Sequence, residues 1–158
     1  MLVEHGSDPQ DLRVELPHPE LKGSRIDLVV GQPPSAFIEF KYPREPNEKN
    51  AAWTMTLGEV LKDFYRLAAC PGAAERLFVY VETPRLRRYM AGIAQRHGIA
   101  LDVDEVVLPP DAMAQLPMTA RRSIGVELPT SYVRARRSVA VDVDDGLRLN
   151  VYQVDPHL

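Results

Sequence analysis

The stretch SAFIEFKYP, residues 35–43, decides how the chain is read, because it has the composition of a buried strand and yet carries two opposite charges. On a strand, Phe37, Glu39 and Lys41 share one face, while Ile38, Phe40 and Tyr42 share the other. The second face is apolar throughout. The first sets a carboxylate beside an ammonium, which in a dry and unpaired setting costs on the order of several kcal/mol per ion. That charged face is therefore either open to solvent or the lining of a site.

The neighbouring sequence narrows the choice. SRIDLVV (24–30) reads as a second strand, and the turn GQPPS (31–35) folds it back against the first as a hairpin. Asp27 then comes alongside Glu39 and Lys41. Two carboxylates on adjacent strands supply the hard oxygen ligands that Mg²⁺ or Mn²⁺ prefers, with water and a substrate phosphate completing the shell. A lysine beside them would orient or help deprotonate an attacking water and offset charge developing on phosphorus oxygens. These are the groups needed to hydrolyse a phosphodiester.

Downstream, PREPNEKNAAW (43–53) has two prolines and many charges and reads largely as an exposed loop, with Trp53 as its hydrophobic anchor or, less simply, as a base-stacking group. Thr56 and Glu59 have the spacing of a capping box, with Met55 and Val60 as its staple, so a helix is predicted over 57–69. Its stripe is Leu57, Val60, Leu61, Phe64, Leu67 and Ala68, which places Glu59, Lys62, Asp63 and Arg66 on the solvent side. LFVYVET (77–83) is an apolar run of strand length, expected to be central and covered on both faces. Thr83 with Pro84 begins a second helix, over 84–97, that Gly98 stops.

Strand-to-strand-to-helix-to-strand order, with RID followed eleven residues later by EFK, resembles the PD-(D/E)xK nuclease superfamily, the restriction-endonuclease-like fold. The similarity covers about residues 20–83. It implies that Asp27 and Glu39 are metal ligands, that the Phe40 carbonyl is a third donor, and that Lys41 assists the nucleophilic water. Two departures stand out: Ile26 replaces the proline of the family's name, and residues 1–23, with three prolines, do not read as the helix that usually opens the family core. Glu15 or Glu20 would have to replace any acidic residue from that helix, or a partner chain would complete the core.

Length and composition are compatible with this reading. A chain of 158 residues, 45% hydrophobic, is predicted to be one domain spanning 1–158, with a core over about 20–108 and an extension over about 109–158. The net charge is −3, but residues 85–137 hold nine Lys/Arg against five Asp/Glu. RLRR (85–88), RR (121–122) and RARR (134–137) lie there, and Arg134, Arg136 and Arg137 form the preferred phosphate-gripping patch; Lys62 and Tyr65 reach the substrate strand if their helix borders the cleft, and are otherwise a solvated charge and an amphipathic flank. For RLRR, arginines simply facing water explain the pattern equally well.

The chain end predicts a hairpin. Pairing Val139, Val141 and Val143 with Leu147, Leu149 and Val151 requires a three-residue loop, Asp144-Asp145-Gly146, with Gly146 at positive φ. ALDVDEVVLP (100–109) is one more strand candidate, and residues 109–131 show four prolines and little periodicity.

Other chemistries find little support. His5, His18, His97 and His157 lack metal-ligand spacing, and His97 suits a helix C-terminus. There is no nucleophile elbow, phosphate-binding loop or dinucleotide fingerprint. Cys70 beside Pro71 reads as a small buried hydrophobe. With one cysteine, no apolar run of membrane-spanning length and no signal-peptide pattern at the N-terminus, a cytoplasmic protein without membrane contact is expected.

The expected protein is thus an α/β domain with a restriction-endonuclease-like mixed sheet flanked by helices and a C-terminal hairpin. Its expected activity is Mg²⁺- or Mn²⁺-dependent hydrolysis of nucleic acid, DNA above RNA, and a two-strand cut would favour a homodimer. The competing expectation is a non-catalytic binding or assembly module on the same fold. Clustered, partly exposed carboxylates with room for an ion would favour the enzyme, and Lys41 buried in a closed salt bridge would favour the module.

Overall fold

The structure, a computed structural model, describes residues 11–42, 50–125 and 132–157. Seven strands form one mixed sheet: β1 (Leu12–Pro17), β2 (Arg25–Val30), β3 (Ala36–Lys41), β4 (Glu75–Glu82), β5 (Glu105–Leu108), β6 (Val133–Asp142) and β7 (Arg148–Val154). Their spatial order is β1-β2-β3-β4-β7-β6-β5, with β3 and β4 parallel and every other pair antiparallel. Among the described residues four α-helices accompany it: α1 (Asn50–Ala68), α2 (Pro84–Arg96), α3 (Pro110–Ala114) and α4 (Met118–Ile124). None is long and apolar enough to cross a membrane.

The β2–β3 hairpin forms as expected around Gly31–Ser35. Gly31 has φ +81°, and a Cβ there would meet the Pro33 carbonyl at 3.0 Å, so the turn requires glycine. Ser35 closes the turn by donating its N–H to the Val30 carbonyl at 2.7 Å. The predicted α2 signals also operate: the Thr83 hydroxyl accepts from the Leu86 N–H, Pro84 occupies the first turn, and Gly98 follows the C-cap at φ +70°.

Helix α1 departs from its predicted start. It is already helical at Asn50, so Thr56 lies inside it and the proposed capping box caps nothing. Residues 43–49 of the expected loop lie outside the described residues. Trp53 is buried within α1, its ring 4.4 Å from that of Tyr89 and 5.3 Å from the Arg85 guanidinium, so aromatic packing between α1 and α2 outweighs the local capping signal. The anchor reading of Trp53 holds, but its seat is a helix.

α1 is buried on more than one side because α4 crosses it closely. Gly58 makes this possible: an added Cβ would stand 2.3 Å from the Ala120 carbonyl oxygen and 2.7 Å from Ser123 Cβ. Gly58→Ala gains helix propensity but forces the helices apart, and we expect a net loss of about 2 kcal/mol or more in urea unfolding. An unchanged midpoint would mean that α4 moves freely.

All four helices feed one large core cluster, in which Phe64 packs on Phe78 at 4.7 Å and on Tyr152 at 5.5 Å. A smaller cluster, centred on Val30, Ala36 and Ile38, lies on the other side of the sheet. β4 is central, yet only Arg76, Phe78, Tyr80 and Glu82 are fully buried; its other face is half-buried, short of the full cover expected on both faces. The C-terminal hairpin has the predicted register: Val139 faces Val151, Val141 faces Leu149, the Val143 N–H reaches the Leu147 carbonyl, and Gly146 has φ +74°. It is continuous with the sheet, lying between β4 and β5. The strand expected over 100–109 is shorter, Glu105–Leu108, and two proline-led helices, α3 and α4, occupy the stretch without periodicity.

Candidate functional site

Glu39, Lys41 and Phe37 share the face of β3 that α1 covers, and Ile38 and Phe40 point away, as strand alternation requires. The burial is the reverse of what the charges suggest. Glu39 is 1% exposed and Phe40 is 51% exposed. The charged face is tolerated inside because α1 brings its own charges to meet it.

Asp63 and Arg66, three residues apart on α1, provide those charges. Lys41 Nζ lies 3.0 Å from Asp63 Oδ2, Arg66 Nη1 lies 3.3 Å from Asp63 Oδ1, and Arg66 Nη2 lies 3.2 Å from Glu39 Oε1. This corrects the expectation that Asp63 and Arg66 face solvent: Asp63 is 2% exposed. The signal was available in the helical wheel, where Asp63 falls between Val60 and Leu67 on one face. A hydrophobic stripe reading discards it because it is charged.

Asp27 enters through a break in the sheet. The β2–β3 ladder ends at Leu28 opposite Ile38, and the Asp27 carboxylate, where a strand carbonyl would otherwise stand, accepts the Phe40 N–H at 2.8 Å. In β1, Glu15, the residue opposite Asp27 by register, takes a left-handed φ of 53° and drops out of the pairing. Ile26 and Val29, three apart, both join the large cluster, so regular alternation fails here and frees the half-buried Asp27 to approach Glu39.

The electrostatics follow from this packing. Burial pushes the Glu39 carboxyl up to about 9, opposed by Arg66 and reinforced by Asp63 and Asp27. Glu39 therefore holds a proton at neutral pH. Its Oε1 contacts Arg66 but has no aligned hydrogen-bond donor. Burial also raises Asp63, against the pull of Lys41 and Arg66.

The other sequence candidates divide. Glu15 turns to Arg25 at 4.0 Å and Glu20 acts on His18, so neither is among the groups that act on Glu39. Lys62 is half-buried, and Tyr65 is buried where a flank was expected. The RARR arginines each meet acids supplied by the strands and loop around them: Arg134 meets Glu105 at 3.2 Å, Arg136 meets Asp155 at 3.7 Å, and Arg137 is clamped by Asp102 and Asp104 at 2.8 and 2.7 Å. Arg134 and Arg136 stay exposed, whereas Arg137 is bound into the fold. Cys70 is buried, with its thiol pushed up to about 12 by burial, and His18 Nε2 meets the Arg66 carbonyl at 2.7 Å. Both tie the end of α1 in place. His97 is the C-cap of α2, as its dipole preference suggests.

Among the described residues, no group of three or more His, Cys, Asp and Glu is arranged to hold a metal ion. The set that remains is Asp27, Glu39 and the backbone carbonyl of Phe40. That set suits Mg²⁺, which takes one or two protein carboxylates and keeps water or substrate oxygens for the rest of its shell. Compared with protein-family models, curated proteins and solved structures, the chain finds no significant match.

Proposed function

We propose that the protein is a metal-dependent nuclease of the restriction-endonuclease-like type, hydrolysing phosphodiester bonds, with DNA as the preferred substrate. One observation carries this reading: two acids, Asp27 and Glu39, come together at the point where the sheet opens, Asp27 accepting the Phe40 N–H at 2.8 Å and Glu39 buried with its Oε1 lacking an aligned donor. A buried carboxyl oxygen short of an aligned donor has acceptor capacity that an ion can use. The resemblance of RID and EFK and the strand-strand-helix-strand order support it.

In this reading Asp27, Glu39 and the Phe40 carbonyl would hold Mg²⁺ or Mn²⁺, which when bound polarises the phosphate and activates water. Lys41, 24% exposed at its side chain, is the cation best placed to meet the substrate phosphate or the attacking water. Glu39 must give up its proton for the ion, and Asp63 holds Lys41 on the site side of α1. Lys62, on α1, is the proposed contact to the nucleic-acid backbone, whereas Arg134 and Arg136 project from the other face of the sheet, away from the site.

A second reading is favoured by the closed pairs Lys41–Asp63 and Arg66–Glu39. In it the same cluster only locks α1 to the sheet, and the domain is a binding or assembly module. A cleavage assay on mixed DNA and RNA with Mg²⁺, Mn²⁺ or chelator separates the two. The nuclease reading expects metal-dependent cutting that Asp27→Ala and Lys41→Ala both abolish while each variant still unfolds cooperatively. Absence of cutting by the wild type with either metal, together with no heat of metal binding, would select the module.

A further inference from the structure

The face of the sheet turned away from the helices is apolar over a continuous area. Register places Phe40, Val79, Val151 and Val139 in one cross-strand row, and Val81, Leu149 and Val141 in the next. Phe40 is 51% exposed and Val141 is 48% exposed, with Tyr42 and Val143 also open at the same end. Each described helix buries its residues in the cluster on the opposite side. Apolar patches of a few hundred Å² are often interaction sites.

We propose that this face is the interface of a homodimer, covered by the same face of a second copy. Two properties select a second copy. The first is self-complementarity: a two-fold interface sets a patch against itself, which the uncharged valine rows permit without any matching partner charge. The second is charge placement along β6. Its loop end carries Asp144 and Asp145, and its other end carries exposed Arg136 on the same outward face. A two-fold axis across the strands near Val141 lays the acidic loop of one copy over Arg136 of its partner, whereas an axis along the strands would stack loop on loop. Arg136 is free to exchange partners because its pair with Asp155 is long, 3.7 Å, and solvent-exposed.

With strands about 4.8 Å apart and about 3.3 Å per residue, the four strands that carry the two rows, β3, β4, β7 and β6, present roughly 400 Å² per copy, so pairing removes on the order of 800 Å², the size of a weak, concentration-dependent contact. The two candidate sites, each on the helix side of its own sheet, would then face outward on opposite sides of the dimer. The inference stands on the face opposite the candidate site and is independent of the proposed reaction.

Light scattering from micromolar to sub-millimolar concentration tests it, with no substrate or metal needed. The wild type is expected to dimerise, and Val141→Lys, which puts two like charges together on the axis, is expected to raise the dissociation constant at least about tenfold while the monomer still unfolds cooperatively. Asp144→Arg is expected to weaken the dimer, and Asp144→Arg combined with Arg136→Glu to restore it. A wild type that stays monomeric throughout would overturn the proposal and leave the face to a partner of other chemistry. A dimer that Val141→Lys leaves intact would place the interface elsewhere, and failure of the charge exchange to restore pairing would refute the axis across the strands.

Discussion

Replacing Arg66 with alanine is expected to destabilise the protein by about 3 kcal/mol at neutral pH, a fall of roughly 10 °C in midpoint for a domain of this size. The reason lies in what Arg66 touches. It reaches Glu39 on β3 and Asp63 on its own helix, and among the described residues Lys41 is the other cation paired with Asp63. Without the guanidinium, a carboxylate that is 2% exposed keeps one ion pair in place of two, and the contact between α1 and β3 loses its fork. Arg66→Lys keeps the charge but cannot span both acids, so it should recover only part of the loss. The measurement is urea unfolding at constant slope. A change of less than about 0.5 kcal/mol for Arg66→Ala would show that water enters and solvates Asp63.

Raising the pH should unfold the wild type more readily, and Glu39→Gln should remove most of that sensitivity. Glu39 is raised from its ordinary value near 4.5 to about 9 by burial, opposed by Arg66. The folded state therefore binds a proton that the unfolded chain releases over this range. The contribution of Glu39 to stability is fully present below about 4.5 and is lost as pH rises through about 9, with a slope on the order of 1 kcal/mol per pH unit between the two values. Glutamine matches the protonated side chain in shape and cannot ionise, so Glu39→Gln should match the wild type near pH 5 and exceed it near pH 9. Thermal melts in chelator across that range test this. Parallel curves for the two proteins would mean that Glu39 is ionised throughout and that Arg66 wins over burial.

How much of the site could be read in the sequence is clearest at α1. The pair Glu39 and Lys41 was visible because a two-residue spacing on an apolar strand is a local pattern, and Asp27 followed because a five-residue turn limits where the next strand can lie. Asp63 and Arg66 were assigned to solvent because a helical stripe is counted in apolar residues, and a buried charge on that stripe looks like its polar border. The capping box at Thr56 failed for a related reason. A capping signal is worth about 1 kcal/mol, while burying Trp53 against Tyr89 is worth more, so the helix extends through it. The arginine run RARR was legible as charge, but the acids that meet it come from Asp102, Asp104, Glu105 and Asp155, which only the sheet brings near.

Short-range patterns therefore settled the elements whose stability is local: the β2–β3 turn, the Thr83–Pro84 start of α2, and the register of the C-terminal hairpin through Gly146. These depend on dihedral preferences and on pairing between near neighbours in the chain. The tertiary structure decided which charges are buried together, which arginines stay available, and which sheet face remains uncovered. Those outcomes depend on groups as far apart as Asp27 and Asp63, or Arg137 and Asp102, whose approach is set by how helices and strands pack and not by any spacing along the chain.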